Sequence, residues 1–70
     1  MRITYDPNAD ALYIKLKEDK IDESDEIAKG IIIDYDIEQN PVGIEILNAS
    51  KLFGGKREMK VEMALAEVRK

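Results

Sequence analysis

A chain of seventy residues with neither cysteine nor histidine has to be held together by packing and hydrogen bonds alone. Disulfides are excluded, and the usual ligands of zinc and iron–sulfur sites are missing. At this length only about 60% of the unfolded chain's surface can be buried, so a lone core is thin. The supplement left is association, which sets up the expectation of a homodimer or of a chain completed by a protein partner. No cofactor is expected.

Hydrophobic alternation then divides the chain. Ile3 and Tyr5 alternate with Arg2 and Thr4 as a short first strand. In Asp6-Pro7-Asn8-Ala9-Asp10 the proline sets a type I turn, and the Asp6 carboxylate can accept its backbone N–H groups. Ala11 to Lys17 is the clearest strand, with Leu12, Ile14 and Leu16 on one side. Glu18 to Glu26 holds six acidic residues in nine around Ile21 and is expected to be a solvated connection. Ile27 to Tyr35 is read as one strand, and its Ile31-Ile32-Ile33 run suggests cover on both faces. After the polar turn Asp36–Pro41, Val42 to Leu47 is a fourth strand, and Asn48 can cap a short helical turn over Ala49–Leu52.

Gly54-Gly55 breaks the pattern, and residues 56–70 are rich in strong helix formers. Val61, Leu65 and Val68 share a stripe with Ala64 beside it, as an amphipathic helix requires. Met59, Val61, Met63 and Leu65 also alternate, so a fifth strand over the first part is the competing reading. Either way Met59, Val61, Met63, Leu65 and Val68 form an apolar set able to meet the sheet, a second protomer or a partner. The expected fold is α+β: one domain over residues 1–70, with a four-stranded antiparallel β-meander, a short helical turn and a C-terminal amphipathic helix.

Three ordered blocks carry a resemblance. Tyr5-Asp6-Pro7-Asn8-Ala9-Asp10-Ala11-Leu12-Tyr13-Ile14, Gly30-Ile31-Ile32-Ile33-Asp34-Tyr35-Asp36 and Val42-Gly43-Ile44-Glu45-Ile46-Leu47-Asn48-Ala49-Ser50 follow one another. The chain resembles, over residues 1 to 52, the bacterial and archaeal family called domain of unknown function 2283. That resemblance implies a small stand-alone protein without an established activity. Some members sit beside toxin-like genes, which implies an antitoxin-like role. Ile37 and Asn40 depart from the acidic and glycine residues that this turn often carries in the family.

Charge is uneven. Residues 1–50 hold five basic and twelve acidic groups, whereas residues 51–70 hold six basic and three acidic ones. An acidic body disfavours nucleic acid, whose binding depends on phosphate neutralisation, and suits a basic protein partner. No apolar run approaches the ~20 residues of a membrane span, and the N-terminus lacks a signal peptide's apolar core. The cytoplasm is therefore the expected compartment.

The carboxylates are the candidate chemistry. Asp34, Asp36, Glu38, Asn40 and Glu45 nearly match the ligand spacing of an EF-hand loop. Gln39 stands where that loop bends at glycine, however, and the flanks read as strands, so a β-hairpin with a polar turn is the simpler expectation. A different divalent-metal site could still use Asp34, Asp36 and Glu45, the first two on one strand face and the third across the hairpin. Asp6 and Asp10 bracket the first turn, where capping is the usual work of aspartate. Ser24 and Ser50 have no histidine to serve as base. Tyr5, Tyr13 and Tyr35 could stack on bases, but cross-strand packing suits an acidic sheet better. The leading expectation is a non-enzymatic protein-interaction module, an antitoxin-like partner of a basic toxin. The alternative is a divalent-metal-binding protein or metal-dependent enzyme built on the carboxylates.

Overall fold

A computed structural model describes residues 1–55 and 60–66, and the strands among them join in one antiparallel sheet. In chain order these are β1 (Arg2–Asp6), β2 (Ala11–Lys15), β3 (Glu23–Ala28), β4 (Ile31–Tyr35) and β5 (Pro41–Leu47), followed by a 3₁₀ turn over Ala49–Phe53. Their spatial order is β1-β2-β5-β4-β3. The β1-β2 hairpin is followed by a segment that crosses one end of the sheet to its far edge. The chain then returns through β3 and β4, and β5 closes the sheet against β2. Backbone bonds anchor both ends of the crossing, from Leu16 N–H to the Val42 carbonyl and from Asp22 N–H to that of Tyr35, each 2.7 Å.

The register sorts the side chains. Ile3, Ile14, Ile44 and Ile33 stand in one cross-strand row that ends at Asp25 on β3. Tyr5, Leu12, Ile46 and Ile31 form the next row on that face. The opposite face carries Thr4, Tyr13, Glu45, Ile32 and Glu26 in one row, and Arg2, Lys15, Gly43, Asp34 and Ser24 in another. One face is thus aliphatic and the other polar, which is the ordinary division in an antiparallel sheet. Among the described residues the buried apolar side chains are Leu12, Val42 and Ala49.

A staple at Asp10 holds the 3₁₀ turn to the hairpin. Asp10 has φ 52°, a left-handed conformation that aspartate tolerates. Its Oδ1 accepts from the Tyr5 hydroxyl at 2.7 Å and from Ser50 N–H at 2.8 Å, and its Oδ2 from the Ser50 hydroxyl at 2.6 Å. The Asp10 carbonyl accepts from Ala49 N–H at 3.0 Å. Phe53 meets the Tyr5 ring edge to face, with centroids 5.5 Å apart. The Asp6 carboxylate accepts from Asn8 and Ala9 N–H at 2.9 and 3.2 Å, as the Asp-Pro turn predicts.

Several expectations require correction. The fold is nearly all-β, not α+β, and the sheet has five strands, not a four-stranded meander. Part of the acidic connection is β3. An edge strand pairs on one side only and projects its charges into water, so acidic density is compatible with it. The single strand read over Ile27–Tyr35 is cut by a turn at Lys29-Gly30, where Gly30 takes φ 78°. Asn48 makes no side-chain cap, and Asp10 supplies the carboxylate to Ser50 instead. Residues 60–66 are neither helix nor strand, although helix propensity is high there. Short helices are marginal in water unless one face packs, and Val61, Met63 and Leu65 are 55%, 80% and 98% exposed. Met59 and Val68, the other members of that apolar set, lie outside the described residues.

Replacing Asp10 with alanine removes three side-chain bonds at once and leaves Tyr5 and Ser50 without that acceptor. Urea unfolding should show a loss of about 3 kcal/mol. Asp10→Asn, which keeps an acceptor and the left-handed backbone, should lose less. An alanine variant within about 0.5 kcal/mol of the parent would remove the staple from this account.

Candidate functional site

The polar face is organised around the absence of a side chain at Gly43. A Cβ there would fall on the ring and phenol oxygen of Tyr13. With glycine on β5, Tyr13 lies across that strand from β2 and its hydroxyl reaches Asp34 Oδ2 on β4 at 2.9 Å. The Ser24 hydroxyl on β3 donates to Asp34 Oδ1 at 2.5 Å from the other side. One buried carboxylate thereby joins side chains from β2, β4 and β3 across β5. Burial raises the Tyr13 pKa above the ordinary 10.0, and the Asp34 bond and the nearby charges of Asp34 and Glu45 push the same way. The phenol therefore stays protonated and remains a donor.

Asp36 anchors the end of the sheet. Its Oδ2 accepts from the Lys17 ammonium at 2.8 Å, and its Oδ1 from Glu38 and Asn40 N–H, both at 2.9 Å. The Lys17 bond, helped by the Asn40 and Glu38 amides, holds the Asp36 pKa down at about 2. The same pair raises the Lys17 pKa. Lys17 opens the crossing segment, so this ion pair ties that segment to the β4-β5 turn. Asp36 also organises the turn, its carbonyl accepting from Gln39 N–H at 2.9 Å while Gln39 takes φ 66°.

Of the residues suggested for a metal, Asp34 lies on the polar face opposite Gly43, and Asp36 follows β4 in the turn before β5. Glu45 stands one row away, paired with Tyr13 and Ile32, not with Asp34, whose partner on β5 is Gly43. Each oxygen of Asp34 and Asp36 already accepts at least one hydrogen bond. Among the described residues no three acidic side chains converge as a metal-ligand group. The EF-hand spacing here folds as a hairpin turn. Ser24 donates to a carboxylate, an arrangement that orders the hydroxyl. Tyr5 and Tyr35 alternate onto the aliphatic face and Tyr13 onto the polar one, so the three rings make no common stacking platform.

The β3 edge is one accessible part of the molecule. All six residues of Glu23–Ala28 are exposed, and among the described residues β3 pairs with β4 alone. Glu23 and Asp25 alternate onto the aliphatic side of this edge and Glu26 onto the polar side. Glu23, Ser24, Asp25, Tyr35 and Gln39 line an open depression beside it. The acidic composition is visible in the sequence, but Glu23–Glu26, expected as part of a solvated connection, belongs to β3 with Ile27 and Ala28. No described helix is long and apolar enough to cross a membrane.

A family model described as a protein of unknown function (DUF2283) matches residues 2–50. No curated protein and no solved structure matches the chain.

Asp36 gives the site a pH signature. Its folded pKa of about 2 lies below the ordinary carboxylate value of 3.8. The stability it contributes is therefore full above that ordinary value and is lost as pH falls through the folded one. Urea midpoints measured from about pH 5 to about pH 2 should decline across this window, and Asp36→Asn should flatten that part of the decline. An unchanged acid profile in the variant would assign the loss to other carboxylates.

Proposed function

The chain belongs to the DUF2283 family of proteins of unknown function, and we propose that it is a non-enzymatic protein-interaction module whose partner is a basic protein. The observation that carries this reading is β3, an edge strand exposed along its whole length and holding Glu23, Asp25 and Glu26. An edge strand presents unpaired backbone N–H and C=O groups to whatever approaches. Acidic side chains on such an edge repel a second copy of the same strand while attracting a basic one. An extended basic segment can add there as a sixth strand, with affinity from the backbone ladder and selectivity from charge. This is the role an antitoxin plays in holding a basic toxin.

The polar face supports the non-enzymatic part of the reading. Asp34 and Asp36 serve as acceptors for Tyr13, Ser24, Lys17 and two backbone amides, which is structural work. The net charge of −4 favours long-range attraction of a cationic protein.

A peptide of alternating lysine and valine tests the proposal, with a glutamate–valine peptide as control. The basic peptide should bind, shift the amide resonances of Glu23–Ala28 and lose affinity roughly tenfold on passing from low to physiological salt. Glu23→Lys combined with Glu26→Lys should abolish its binding. Equal binding of the two peptides, or resonance shifts that spare β3, would overturn the β3 docking mode.

A further inference from the structure

We propose that the aliphatic face of the sheet is covered by the same face of a second copy of this chain, giving a two-layer β-sandwich. The face is built from isoleucine rows across β1, β2, β5 and β4, yet Ile14, Ile31, Ile33, Ile44 and Ile46 are only half-buried and Ile3 is 38% exposed. Residues this apolar at the centre of a five-stranded sheet ordinarily lie under a second layer. Among the described residues none supplies one. The Ala49–Phe53 turn lies beside the Tyr5–Ile31 row, where Phe53 meets Tyr5 and Leu52 borders a depression with Ile31 and Ile46, and residues 60–66 lie exposed.

The dimensions suit a second copy. Five strands at sheet spacing and five residues of strand length give a face of roughly 350 Å² in plan. Side-chain relief raises this to roughly 600 Å² of accessible surface per copy, and the pair to about 1,200 Å², at the lower bound of a stable specific interface. The chemistry suits one too. The rows carry no charge across β1, β2, β5 and β4, and Glu23 and Asp25 enter only at the β3 rim, where they can remain in water. A surface of aliphatic side chains is self-complementary, as a two-fold contact requires. Ile44, in the middle of the central strand, then lies near the two-fold axis and meets its own copy. The β3 edge remains open in this arrangement, so the inference does not depend on the basic-partner reading.

The test uses the unmodified chain. Sedimentation at micromolar concentration should give about 16 kDa, twice the 8.0 kDa of one chain. Isotope-filtered spectra of a mixed labelled and unlabelled sample should show intermolecular contacts among the methyl groups of Ile14, Ile33 and Ile44. The melting temperature should rise with protein concentration, because folding and association are coupled. A folded 8.0 kDa monomer at those concentrations would overturn the proposal. So would a dimer whose contacts map to the β1 edge or to residues 60–66.

Discussion

The passage of the Tyr13 ring over Gly43 is the contact on which the polar face depends. Without a Cβ on β5 at that point, a phenol from β2 can reach a carboxylate two strands away on β4. That carboxylate also receives a hydroxyl from β3. Hydrogen bonds to an ionised acceptor are the stronger kind, and these two fix how β2, β5, β4 and β3 lie against one another. Lys17 and Asp36 do the same for the segment that crosses the sheet's end. Among the described residues no buried side-chain nitrogen or oxygen lacks a hydrogen-bond partner. The polar face is complete within one chain.

The aliphatic face is left half-exposed by the described residues. Strand pairing satisfies the backbone and fixes the register, but it cannot remove a row of isoleucines from water. Burial of apolar surface is the dominant favourable contribution to folding, so a sheet left open on that side forgoes much of its stabilisation. The two faces therefore do different work. Hydrogen bonds on the polar face tie the strands together, and the apolar face is where the proposed second copy would pack. The acidic β3 edge stands apart from both and remains exposed to other proteins.

Much of this was legible in the sequence. Alternation located β1, β2 and β5, and the Asp-Pro turn was read with its capping carboxylate. What escaped reading was long-range. The Asp10–Ser50 staple joins residues forty positions apart, and neither residue type signals the other. Nothing in the residues around Gly43 signals its role, because the reason for glycine there lies in Tyr13 on a neighbouring strand. β3 was hidden by its acidity, which bars a strand from a core but not from an edge. The segment from 60 to 66 misled in the opposite direction. Its composition favours a helix, but high propensity without a packed face is insufficient at that length.

Amide hydrogen exchange measured at several protein concentrations tests the central claim, that the second layer of the core comes from a second copy. The account predicts that the paired amides of β2, β4 and β5 become more protected as concentration rises, while the outward amides of β3 exchange rapidly throughout. Protection in β2, β4 and β5 that is strong and independent of concentration would mean that one chain forms a stable fold alone, and would contradict it.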